Sequence, residues 1–316
     1  MSESAPDQES PAEAEARLLR LATLASVLTA VLLIAAKTLA VLVTGSVALL
    51  ASLVDSLMDA AASLVNLVAV RYALVPADRN HRFGHGKAES LAAFLQSLLI
   101  LASSAFLIHE ALHRLVEPRP VQAQGIGIAV ILLSLAATLA LVTLQRYVIR
   151  RTHSAAIQAD SLHYQADLLG NGAVLLALIA TQWGWTLVDP LLALAIAAYL
   201  LYSTRAILGQ ALNELLDREL PEALRRRILD AARGHPAVRG AHDLRTRRAG
   251  RTIIVQLHIE LDDDLRLIQA HRISDEVEAA IRREVPGADI VIHQDPVGLV
   301  EARLDNQVAA PAADKD

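Results

Sequence analysis

Cysteine is absent from this chain of 316 residues, and aromatic residues make up only 3% of it. Without thiols there is no disulfide framework, no thiolate nucleophile and no Cys-type zinc site, so any metal chemistry rests on His, Asp and Glu. Charge is scarce as well: 20% of residues are charged against 54% hydrophobic, which excludes a disordered chain and argues against an ordinary soluble domain. Lys+Arg 29 against Asp+Glu 34 leaves a net charge of -5. No basic excess is available to build a phosphate-binding face, so nucleic acid is not expected as a partner.

What is present is a series of long apolar runs. Residues 1–17, opening MSESAPDQESPAEAE, are polar, acidic and Pro-containing, unlike a cleaved signal peptide, and read as a disordered cytoplasmic tail. From Leu18 to about Gly209 each run is long enough to cross a hydrocarbon layer about 30 Å thick. Six spans are predicted, at 18–43, 46–74, 89–115, 122–148, 155–181 and 186–209, in a transmembrane domain of 18–210. Basic residues resist translocation and therefore mark the inner ends. Arg17, Arg20, Arg71, Arg79, Arg82, Lys87, Arg146, Arg150, Arg151 and Arg205 cluster at one set of ends, whereas the other set carries only Arg114 and Arg119. Both termini are predicted to be cytoplasmic.

After Leu215 the pattern becomes charged and mixed. Residues 211–300 read as a separate small α+β domain of order αββαβ, followed by a polar tail at 301–316 with no assigned function. Pro221–Arg233 and Leu267–Val285 have helical character. Ala241–Arg247 and Thr252–Leu261 read as a hairpin turning at Ala249-Gly250, with Ile253, Val255, Leu257 and Ile259 alternating, and Asp289–His293 as a third strand.

The second span carries Asp55 and Asp59, four residues apart and so on one helix face. A charge near the bilayer centre costs at least about 2.5 kcal/mol, so an idle pair is not expected there. The fifth span carries His163 and Asp167, again at i and i+4, with Asp160 on the same side. The two spans run antiparallel in this topology, and the pairs can face one another. Three carboxylates and an imidazole make a four-ligand N/O site that suits tetrahedral Zn²⁺ and also accepts other divalent first-row ions. The competing reading is a hydrogen-bonded cluster that only joins helices, a task Asn or Ser would perform at lower desolvation cost. Lys37, near the outer end of the first span, is expected to snorkel to the interface.

Between the second and third spans, Asp78, His81 and His85 lie in a compact Gly-containing loop and could hold a metal through two imidazoles and a carboxylate. On spacing alone they read equally as polar residues of a solvated loop. His242, His258, His271, His293 and Asp295 are spread over the C-terminal domain, where folding either gathers them or leaves them as scattered surface groups. A further string, His109-Glu110-Ala111-Leu112-His113, satisfies the H-E-x-x-H pattern of zinc metalloproteases. No segment of the kind that supplies a third ligand in intramembrane metalloproteases accompanies it. Asp55 and Asp59 share one helix, so they cannot clamp a peptide bond from opposite sides as an aspartyl protease would.

Several long motifs occur in order: TGSVALLASLVDSLMD at 44–59, PADRNHRFGHGKAESLAA at 76–93, ADSLHYQADLLGNGAVLLAL at 159–178, LLDRELP at 215–221, GAHDLRTR at 240–247 and IHQDP at 292–296. Through them the chain resembles the cation diffusion facilitators, specifically the bacterial ferrous-iron and zinc efflux branch, from Ala22 to Val297. The resemblance implies a transport site of Asp55, Asp59, His163 and Asp167, and a loop site of Asp78, His81 and His85. It implies a cytoplasmic site of His242, His258, His271, His293 and Asp295, to which Gln294 contributes through its backbone, while the spacing of Asp160 makes it a candidate for a supporting position beside His163. It also implies a copper-chaperone-like or ferredoxin-like cytoplasmic fold, a homodimer, and a Lys87–Asp217 salt bridge near the membrane surface.

The function expected is therefore proton-coupled export of a divalent transition metal across a bacterial inner membrane, by alternating access and without covalent catalysis. The metal is both substrate and structural ligand, with Zn²⁺ expected first, Fe²⁺ next, and Cd²⁺, Co²⁺ or Mn²⁺ compatible with the same donors. A site with three ionised carboxylates is unfavourable when empty, so protons are expected to exchange with the metal. The rivals are a metal-gated channel or membrane metal sensor built from the same ligands, and an intramembrane metalloprotease using His109, Glu110 and His113.

Overall fold

A computed structural model describes residues 11–116, 125–183, 185, 187–299 and 305. Residues 1–10 of the expected N-terminal tail, Arg119, and the polar tail from 301 onward except Asp305 lie outside the described residues. The chain divides into two units, Met1–Leu212 and Asn213–Asp316.

Among the described residues the first unit contains six helices: α1 (Pro11–Thr44), α2 (Val47–Ala73), α3 (Lys87–Val116), α4 (Gly125–Thr152), α5 (Ala155–Gln182) and α6 (Val188–Leu215), the last reaching into the second unit. Five of them, all but α5, are long and apolar enough to cross a membrane by length and composition. The exception is the helix bearing Asp160, His163, Gln165, Asp167 and Asn171, whose polar content dilutes an otherwise Leu- and Ala-rich sequence. One boundary differs from expectation: Pro11–Arg17 belongs to α1 and not to a disordered tail. Proline suits the first helical turn, where its missing N–H is no loss, and Glu13, Ala14, Glu15 and Ala16 are good helix formers.

The α1–α2 connection is a tight one. Gly45 adopts φ +61, its N–H bonds the Val41 carbonyl at 2.8 Å, and Ser46 then caps α2. A left-handed residue at this position ends a helix cheaply only when it lacks Cβ. α1 packs on α2 and α4, α4 on α5, and α3 on α5 and α2. The helix contacts rely on small residues, Ala22, Ala92 and Ala156 in one cluster and Ala93, Ala159 and Ala211 in another. Such residues let backbones approach closely where lipid offers no hydrophobic driving force. Leu28, Leu39, Leu42, Val68 and Phe106 point outward, as lipid-facing side chains do.

The second unit has α7 (Glu222–Arg233), β1 (Gly240–Ala249), β2 (Thr252–Leu261), α8 (Leu267–Glu284) and β3 (Asp289–Pro296), the αββαβ order read from sequence. Its sheet has order β1-β2-β3, with β1 antiparallel and β3 parallel to β2. Val255, Leu257, Ile259 and Leu261 turn to one face of β2 and form the core with Ile228 of α7 and Val277 and Ile281 of α8. A bulge falls between His242 and Arg245, with Asp243 at φ +48. The Asp243 N–H donates to Asp305 Oδ2 and the Asp305 N–H to Asp243 Oδ1, each at 2.9 Å. Asp305 therefore belongs with the folded domain, beyond the boundary at 300 expected from composition.

Candidate metal centres

Helix α2 brings Asp59 against His163 of α5, with His163 Nε2 2.9 Å from Asp59 Oδ1. Asp167 lies one turn along α5, and one donor atom from each of Asp59, His163 and Asp167 falls within 4.8 Å of the others. The helical period puts His163 and Asp167 on one stripe, and a neighbouring residue fixes the rotation of that stripe. Tyr164 is 1% exposed, donates its phenol proton to the Ser26 carbonyl of α1 at 3.2 Å and accepts from the Ser63 hydroxyl of α2 at 2.8 Å. Asp55 is not in the group: it stands exposed one turn nearer the start of α2.

Asp160 does not face these ligands. It is fully buried between α1 and α4, where Oδ2 accepts from Ser26 Oγ at 2.6 Å and Gln145 Nε2 at 2.8 Å. Its expected supporting position behind the metal ligands is thus replaced by a helix-joining one. Lys37 also departs from expectation. It is 8% exposed and turns inward to α2, where Nζ donates to Ser56 Oγ at 2.7 Å and to the Ser52 carbonyl at 3.1 Å.

The loop after α2 gathers Asp78, His81 and His85, again with donors within 4.8 Å. Asp78 Oδ1 accepts from the backbone N–H of His81 at 2.6 Å and of Asn80 at 2.8 Å, an Asx turn that reverses the chain. The His81 bond, assisted by that from Asn80, holds the Asp78 carboxyl below the usual carboxylate range. Gly84 at φ +78 completes the reversal. His85 is 5% exposed, its Nδ1 lies 3.3 Å from the Val75 carbonyl and its ring packs on Tyr72 with centroids 4.4 Å apart. If the Nδ1 proton is directed to that carbonyl, Nε2 is the nitrogen that could accept a metal, and it faces Asp78 Oδ2 at 3.4 Å.

In the C-terminal domain the strand register gathers the ligands. His242 pairs with His258 across β1–β2, and His258 pairs with His293 across β2–β3. The three imidazoles therefore form a row on the sheet face opposite the core, and Glu260 and Asp295 pair in the adjacent row. Asp295, 4% exposed, lies at the centre: Oδ2 is 2.8 Å from His258 Nδ1 and 3.4 Å from His242 Nε2, and Oδ1 is 3.1 Å from His293 Nε2. His242, His258 and Asp295 form the compact metal-capable group. His271 does not join it within one chain: its side chain is exposed on α8, where it lies 3.8 Å from Asp275. Gln294 points its amide to Ser274 Oγ at 2.7 Å. Glu260, 3.3 Å from His242 Nδ1, was missed by sequence reading, although period 2 from His258 places it on the same face.

The H-E-x-x-H string is not a metal group among the described residues. Glu110 accepts from Arg114 Nε at 2.8 Å, and Arg114 Nη1 reaches Asp189 of α6 at 2.9 Å. The would-be general base is thus held in an ion-pair chain. Lys87 opens α3, and Asp217 pairs with Arg247 of its own domain at 3.2 Å.

Two metal-capable groups on the helical unit and a third on the sheet of the C-terminal unit coincide with two family matches. Residues 23–216 match the cation efflux transmembrane domain, and residues 220–297 match the cytoplasmic domain of cation efflux proteins. The chain belongs to the cation diffusion facilitator family. It is 51% identical over 286 residues to a cation-efflux pump FieF of Klebsiella pneumoniae, covering 90% of this chain and 95% of that protein. To the FieF of Pectobacterium carotovorum subsp. carotovorum it is 53% identical over 285 residues, with the same coverage. The cytoplasmic-domain structure MamM CTD, in a nickel form, is 31% identical over 24% of this chain and 98% of that one, with a TM-score of 0.23. As a member of the family, this facilitator is a multi-pass membrane transporter for the efflux of divalent metal cations.

Proposed function

We propose that this facilitator exports Zn²⁺ or Fe²⁺ from a bacterial cytoplasm in exchange for protons, as a homodimer in the inner membrane with both termini inside. The observation that supports this best is the meeting of Asp59, His163 and Asp167 on two apolar-flanked helices, with donor atoms within 4.8 Å. Asp55, one turn away on the same α2 face, is the natural fourth ligand, completing a tetrahedral Asp₃His shell when the metal enters. Both carboxylates and imidazoles bind protons as well as metal, so a divalent ion entering this shell displaces protons and a proton returning expels the ion. Exposure of the shell alternately to the two sides turns that competition into antiport.

Asp78, His81 and His85 are proposed to hold metal at the cytoplasmic mouth, and His242, His258, His293 and Asp295 within the cytoplasmic domain. His271 and the backbone of Gln294 complete the latter set once two chains associate. Metal held there favours the folded, associated state by mass action. Lys87 and Asp217 are proposed to pair near the membrane surface and secure the dimer. The test is Zn²⁺ uptake into sealed proteoliposomes with and without an imposed pH gradient. Accumulation that follows the gradient and disappears in Asp59→Ala is the expected result. Flux indifferent to the gradient would favour a channel, and accumulation unaffected by Asp59→Ala would remove the transport site from α2.

A further inference from the structure

A lysine facing lipid extends its chain to the interface, because the stem is apolar and the ammonium needs water. Lys37 does the opposite. It turns inward from α1, is 8% exposed, and gives two hydrogen bonds to α2, at 2.7 Å to Ser56 Oγ and 3.1 Å to the Ser52 carbonyl. Both acceptors are neutral, so the positive charge is placed without being tied to a single carboxylate. Burying it is costly, and two hydrogen bonds to neutral groups do not repay that cost. A further source of favourable interaction is required.

That source is adjacent. Ser52, Ser56, Asp59 and Ser63 follow one another at intervals of four, three and four along a single stripe of α2. Ser56 and Asp59 are separated by about 4.5 Å along the helix axis. The ammonium therefore stands about one turn from the Asp59–His163–Asp167 group, on the side nearer the α1–α2 turn at Gly45. Asp55 and Asp59 flank Ser56 on α2, and Asp167 stands with Asp59 in the metal-capable group, so carboxylates lie close to the ammonium. Among acceptors on this stripe, it has taken the position next to the metal ligands without entering their shell.

We propose that Lys37 is a specificity and release residue of the transport cycle: a fixed cation, held over α2 by Ser52 and Ser56, that weakens the hold on a divalent ion. It rests on the reading of Asp59, His163 and Asp167 as the transport site. A dication in that group would lie about one helical turn from the ammonium, close enough for two charges to interact appreciably through protein. The repulsion acts on bound metal in full and scales with ionic charge. It keeps the site from becoming a trap, and it raises the rate at which the ion departs.

The experiment compares Lys37→Gln, Lys37→Met and Lys37→Arg with the parent protein, each as the full chain in detergent and in proteoliposomes with Zn²⁺ as probe. Transport-site binding is taken as the component of Zn²⁺ binding that Asp59→Ala abolishes. At about pH 8, where most carboxylates are ionised, both neutral variants should bind Zn²⁺ at least about tenfold more tightly, with KM and kcat falling together. Lys37→Arg, which keeps the charge, should stay within about threefold of the parent in Kd, KM and kcat. A neutral variant that folds and binds no more tightly than the parent overturns the role, as does equal tightening in Lys37→Arg. If Asp59→Ala abolishes binding and transport while the neutral Lys37 variants behave as the parent, Lys37 alone is refuted. If Asp59→Ala abolishes neither, the transport-site reading itself fails.

Discussion

Asp295→Asn is the substitution that isolates the cytoplasmic metal group. Asp295 is the common neighbour of three imidazoles, at 2.8 Å from His258, 3.1 Å from His293 and 3.4 Å from His242. Asparagine keeps the size but loses the charge and one acceptor oxygen, so it cannot serve two imidazole-bound metals or neutralise one. Val255, Leu257 and Ile259 are 0–1% exposed in the centre of the same sheet, and their amides exchange with solvent only when the domain opens. Metal bound to the closed domain slows that exchange. At free Zn²⁺ about 100 times Kd the gain is about 2.7 kcal/mol, which slows exchange about 100-fold. If Asn weakens binding by about 100-fold, the same Zn²⁺ concentration equals the new Kd and the slowing shrinks to about twofold.

The assay is hydrogen exchange read by mass spectrometry on peptides from β2, with the full chain in detergent, in chelator and in buffered Zn²⁺. Exchange in chelator provides the control, since it should differ little between parent and variant if the sheet itself is intact. A variant that retains the parent's full Zn²⁺-dependent protection would refute the reasoning and place the stabilising metal elsewhere. Glu260→Gln should weaken the effect less than Asp295→Asn, because Glu260 approaches only His242, at 3.3 Å.

Asp160→Ala removes the buried acceptor shared by Ser26 and Gln145, leaving, among the described residues, Ser26 Oγ only the Ala22 carbonyl and Gln145 Nε2 only Ser26 Oγ, which should cost about 1–3 kcal/mol in unfolding measurements in detergent, with Asp160→Asn costing less than half as much. His109→Ala should leave Zn²⁺ transport within about twofold of the parent, whereas Arg114→Ala, which removes the ion pairs to both Glu110 and Asp189, should lower the thermal stability of the protein. The Asp78 carboxyl should titrate below the ordinary carboxylate value of about 3.9 when followed by carbon NMR. Because its folded value is depressed, the turn's contribution is complete above the ordinary value and is lost only as pH falls through the lower one. A midpoint at or above the ordinary value would show that the backbone N–H of His81 does not engage it.

Six helices and an αββαβ domain were legible because their signals are local: runs of apolar residues for the first, alternation and turn residues for the second. The pairs Asp55/Asp59 and His163/Asp167 were legible for the same reason, since a helix face follows from spacing. Which residues meet across helices was less so. Spacing puts Asp160 on the same side of α5 as His163, but the helices that surround α5 decide which way each turn looks, and at Asp160 the neighbours are Ser26 and Gln145. Lys37 was misplaced because composition describes the lipid-facing option alone and says nothing of Ser56, 19 positions away. The row of His242, His258 and His293 was not legible either, because it depends on sheet register and on a bulge at Asp243.

The three metal-capable groups differ in how much of the fold must hold still to keep them assembled. Asp78, His81 and His85 lie within one turn of chain, so local hydrogen bonds preserve their geometry whatever the helices do. His242, His258 and Asp295 are fixed by strand pairing, and nothing short of opening the sheet separates them. Asp59, His163 and Asp167 alone come from two helices whose mutual contact is slight, since α2 packs chiefly on α1 and α5 chiefly on α4. A displacement of α5 relative to α2 would pull this shell apart with little direct α2–α5 packing to break, although Tyr164 and Asp160 also tie α5 to Ser63 of α2 and Ser26 of α1. A site that must release its ion needs that property, and a site that must retain it does not. The slight α2–α5 contact thus supports the proposal that the α2–α5 group is the transport site, alongside its chemistry. A cross-link between α2 and α5 near Asp59 should stop turnover without preventing Zn²⁺ binding, and continued transport by fully cross-linked protein would count against this division.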